Sequence, residues 1–62
     1  MFTIYDEYRQ EFRPEIVPGT YEEVVINAFD VLIKGNKDWP EMGLSEKSAV
    51  LEQNGFEIKL IN

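Results

Sequence analysis

The amino-acid sequence predicts a small α+β domain of order β-α-α-β, in which the two terminal strands form a small sheet packed on a central helix. Three observations predict it. Phe56, Ile58 and Leu60 alternate with Glu57 and Lys59, the pattern of a half-buried strand. Thr20 to Lys34 carries apolar periodicity together with signals for both helix ends. The opening residues Phe2, Thr3, Ile4 and Tyr5 are of types enriched in strands.

In Met1–Phe12 two periods compete. As a strand, Phe2, Ile4, Tyr8 and Phe12 share a face that Asp6 and Gln10 interrupt; as a helix, Ile4, Tyr5, Tyr8 and Phe12 line up at spacings of three and four. The residue types at the start favour a strand, predicted over about residues 2–10. Arg13–Gly19, RPEIVPG, holds two prolines and a glycine and reads as an extended connection, with a short edge strand at Glu15–Val17.

The central helix is predicted over about 20–34. Thr20 with Glu23 three places on is a capping box, Glu22 and Glu23 place negative charge in the first turn, and Lys34 and Gly35 suit the C-terminal end. At about 100° per residue, Val24, Val25, Ala28, Val31 and Leu32 form one apolar face. Ile26, Phe29 and Ile33 form a second flank beside it. Together they span roughly 220°, more than the stripe of about 100° that a surface helix needs. Either the chain wraps this helix on several sides, or the second flank meets another protein.

Asn36–Gly43 follows as a turn-rich loop in which Trp39 either folds back over the core or stands out as an anchor for a partner. A second short helix is predicted over about 45–53, with Ser45 as its cap and Leu44 placed to staple against Ala49. Asn54-Gly55 then closes that helix and turns the chain into the last strand.

Composition excludes several functions. Sixty-two residues make a single small domain, and without cysteine or histidine there is no disulfide, no thiolate nucleophile, no ordinary base near neutral pH and no usual zinc site. No glycine-rich phosphate loop is present, and the adjacent carboxylates Asp6-Glu7 and Glu22-Glu23 point in different directions on either a strand or a helix. The chain is therefore expected not to be an enzyme and to carry no metal site or cofactor. Twelve carboxylates against six cations give a net charge of −6, which opposes direct contact with nucleic acid or with an anionic membrane. No apolar run approaches the roughly 20 residues of a membrane span, and the start lacks signal-peptide character; a cytoplasmic protein is expected.

What remains is binding through protein surface. Residues 1–23 hold six carboxylates against Arg9 and Arg13, so the charge concentrates in the first third of the chain. Asp6, Glu7, Glu11 and Glu15, interleaved with Tyr5 and Tyr8, are the expected surface for a partner protein with a basic site. The corresponding function is a small inhibitor or adaptor, whose sharpest form is a nucleic-acid mimic of the kind phages use against host defence enzymes. The alternative is a structural or assembly protein that forms a homodimer through its central helix, with Ile26, Phe29, Ile33 and Trp39 at the interface.

Overall fold

The structure, a computed structural model, describes residues 1–61. Its core is a three-stranded antiparallel sheet of order β2-β1-β3, with β1 at Phe2–Asp6, β2 at Glu11–Phe12 and β3 at Phe56–Leu60. Helices α1 (Tyr21–Ala28, continued by a π-helical segment Phe29–Lys34) and α2 (Leu44–Gln53) join β2 to β3. The expected α+β architecture is present, and the terminal strands are antiparallel neighbours, Ile4 opposite Ile58.

The first strand is shorter than the predicted 2–10, for a local reason. Asp6 Oδ1 accepts hydrogen bonds from the backbone N–H of Tyr8 (3.0 Å) and Arg9 (3.1 Å). The short side chain thus offers the backbone a turn in place of the ladder. The chain reverses through residues 7–10, with Gln10 at φ 56°, and returns as β2 with Tyr5 opposite Phe12. Glu15–Val17 is not a strand. Instead Arg13 N–H donates to the Ile4 carbonyl, and Gly19 exchanges two hydrogen bonds with Phe2, so this segment flanks β1. Ile16, between the two prolines, is thereby carried into the core.

The α1 capping box forms as predicted: Glu23 N–H donates to Thr20 Oγ1, and Thr20 N–H donates to Glu23 Oε1. These bonds, the backbone donor first, hold the Glu23 carboxyl below its usual range. Val24, Val25 and Ala28 pack with Ile4, Ile16 and Leu51 in the core. Past Ala28 the i→i−5 pattern of the π segment takes over, ending with Gly35 N–H donating to Asp30 O. One residue of register is added, which turns the following side chains by about 100°. Leu32 and Ile33 therefore pack on the core where regular spacing assigned Val31 and Leu32, and Val31 is left 54% exposed.

Helix α2 is capped two residues earlier than expected. Gly43 is its N-cap, its N–H donating to Glu46 Oε1, and Ser45 lies within the first turn. Leu51 buries against the core, and Ser48 Oγ pairs with Tyr21 Oη at 2.8 Å to tie the two helices together. Gly55 then turns the chain into β3 at φ +82°, a conformation glycine adopts without steric cost.

Candidate functional site: the hairpin tip and its surroundings

The β1–β2 hairpin places Asp6, Glu7 and Glu11 at one tip, in two different roles, while Glu15 lies in the segment that follows β2. Asp6 is 4% exposed. Both of its oxygens are engaged, Oδ1 by the turn amides and Oδ2 by Arg13 Nη1 at 3.0 Å. Its carboxylate builds the tip and is withheld from any partner. Glu7 and Glu11 stand exposed, and among the described residues neither forms an ion pair. Glu15 is also exposed but is held by Arg13 Nε. That hydrogen bond, reinforced by the charge of Asp6, raises the Arg13 pKa above its ordinary value, so Arg13 stays charged and half-cancels the pair it joins.

The tyrosines also divide. Tyr5 is half-buried, edge-on to Phe12 with ring centroids 5.0 Å apart, and Lys59 Nζ lies 4.6 Å from its ring centroid. Tyr8 is 81% exposed, yet its ring passes close to Gly55: a Cβ there would collide with Tyr8 Cε2 and Cδ2. Glu7 N–H also donates to the Gly55 carbonyl at 2.9 Å. The tip is thus fastened to the α2–β3 turn at Gly55. The Gly55 contact carried no signal in the sequence, because only the pairing of β1 with β3 brings these segments together.

The expected helix flank does not form as one surface. Phe29 is an interior residue, 2% exposed, with the Trp39 ring edge-on to it at 5.7 Å and Lys47 Nζ 5.5 Å from its centroid. Ile33 packs on the core, and Ile26 keeps partial exposure. The added residue of the π segment changes the rotation of Ile33 relative to Ile26 and Phe29. Trp39 folds back over Phe29 and keeps about a third of its surface outside, walling a cleft of ≈ 330 Å³ that also contacts Asp30, Lys34, Glu41 and Lys47.

Among the described residues, no cluster of three or more acidic side chains could hold a metal ion, and no helix is long and apolar enough to cross a membrane. Compared with known protein families, curated proteins and solved structures, the chain matches none.

Proposed function

We propose that this protein acts by docking on a basic surface of a larger protein, as a small acidic inhibitor or adaptor. One observation carries the reading: Glu7 and Glu11 flank the exposed Tyr8 and Arg9 on a tip whose turn amides are held by Asp6, and among the described residues neither glutamate forms an ion pair. Two unpaired carboxylates and one aromatic ring on a fixed turn suit a groove lined by lysine or arginine. The charges steer the encounter, and Tyr8 offers an exposed aromatic anchor beside them. In its sharpest form the protein is a nucleic-acid mimic of the phage type, active in the cytoplasm. The carboxylates then stand in for phosphates and Tyr8 for a base. No catalytic step is assigned to this chain.

The test is capture of a partner from native lysate at low salt, with the wild type and the Glu7→Lys/Glu11→Lys variant side by side. A protein held by the wild type, lost with the variant, released by salt and displaced by a DNA duplex supports the proposal. Retention that survives both the reversals and salt contradicts it.

A further inference from the structure

The outer edge of β3 is an unfilled pairing site. Glu7 N–H bonds the Gly55 carbonyl and Ile61 N–H bonds the Met1 carbonyl, so the odd-numbered residues of this strand direct their backbone groups toward β1. The even-numbered ones, Phe56, Ile58 and Leu60, direct theirs away. Among the described residues no hydrogen bond reaches these three from outside the chain's own ladder. By contrast β1 is bonded on both sides, to β3 on one and to β2, Arg13 and Gly19 on the other.

We propose that this edge pairs with the same edge of a second copy of the chain, giving a continuous six-stranded sheet. The occupant is identified by the strand itself. Around Ile58 the sequence Phe56-Glu57-Ile58-Lys59-Leu60 is a charge palindrome. In an antiparallel two-fold pairing centred on Ile58, each Glu57 faces the Lys59 of the other copy, and each Leu60 faces the other copy's Phe56. Ile58 belongs to the outward-directed set, so the central pair and the two Phe56–Leu60 pairs are the hydrogen-bonded ones, about six bonds in all. The charged pairs fall at the non-bonded positions, where Cα atoms approach to about 4.5 Å.

The charges also fix the register. A slip by two residues in either direction preserves the backbone bonding but sets Glu57 against Glu57 or Lys59 against Lys59. Only the palindromic alignment pairs opposite signs. It also covers Leu60, which is 65% exposed in the single chain, and it consumes an edge that would otherwise invite open-ended association. The arrangement leaves the hairpin tip free and stands independently of any target that the tip binds.

Light scattering after size exclusion tests it on the full chain. Wild type is expected at twice 7.3 kDa. Glu57→Lys and Lys59→Glu each place like charges across the two-fold axis and should weaken the dimer roughly tenfold or more. Mixing these two variants restores complementarity, so the mixture should return to dimer mass, as should the double variant Glu57→Lys/Lys59→Glu. Leu60→Pro removes an outward N–H without touching the β1 ladder and should yield a monomer whose circular dichroism is unchanged. A monomeric wild type, or a dimer indifferent to both the single reversals and Leu60→Pro, would overturn the proposal.

Discussion

The hairpin tip and the β3 edge both face outward from one sheet, and their charges differ in kind. At the tip, carboxylates outnumber cations: Glu7 and Glu11 form no ion pair among the described residues, and the exposed Arg9 between them leans toward Asp6 at 4.0 Å. On β3, Glu57 and Lys59 balance, their side chains 4.0 Å apart on the same face. A surface with an excess of one sign repels its own copy and favours an opposite partner, whereas the proposed β3 pairing matches opposite charges in a single alignment. A net charge of −6 conceals this division, because it sums a carboxylate-rich tip and a balanced strand.

The tip depends on Asp6, and removing that carboxylate should break the comparison most severely. Asp6→Ala leaves the Tyr8 and Arg9 amides and Arg13 without their acceptor. It is expected to cost about 3 kcal/mol. Thermal unfolding should show a loss above 10 °C, roughly 4–8 °C per kcal/mol for a domain of this size. Binding through the tip should fail with it, while pairing through β3 survives in whatever fraction remains folded.

The scaffold that holds the two surfaces apart is tested next. Leu32→Ala should destabilise by about 2 kcal/mol, because Leu32 packs on the core. Val31→Ala should stay within about 0.5 kcal/mol. Regular helical spacing assigns both residues to the core, so equal losses by urea denaturation would contradict the added residue in Phe29–Lys34.

Those two residues also mark where the sequence stopped being legible. From Thr20 to Ala28 side-chain chemistry acts locally: the Thr20–Glu23 box and the Val24, Val25, Ala28 stripe each follow from residues within one or two turns. Phe29–Lys34 contains neither proline nor glycine, and nothing local announces the π segment that brings Ile33 onto the core and leaves Val31 out. Likewise Asp6 read as one more acidic residue of a long strand. Its role depends on Arg13 seven residues away and on two amides that turn toward it only once the strand has ended. The alternation of residues 56–60 was plain, but which backbone groups remain unpaired depends on the partner strand chosen by the fold.

A smaller effect comes from the α1 cap. Thr20→Ala should cost about 1 kcal/mol. The folded-state pKa of Glu23 is lowered, so its contribution is present above the unfolded carboxylate value and disappears as pH falls through the folded one. A pH series of thermal unfolding should therefore show less acid-side loss in Glu23→Gln than in wild type. A parallel loss in both proteins would remove Glu23 from the account.

The smallest expected change in stability accompanies the largest expected change in binding. Glu7→Lys/Glu11→Lys alters two exposed side chains and should leave stability within about 0.5 kcal/mol of wild type. The most direct test of the account is the affinity of this variant and of wild type for the captured partner across a series of salt concentrations. The account predicts that wild-type affinity falls steeply with salt and that the variant binds at least a hundredfold more weakly at low salt. Equal affinities with no salt dependence would contradict it and would remove the hairpin tip as the surface through which this protein acts.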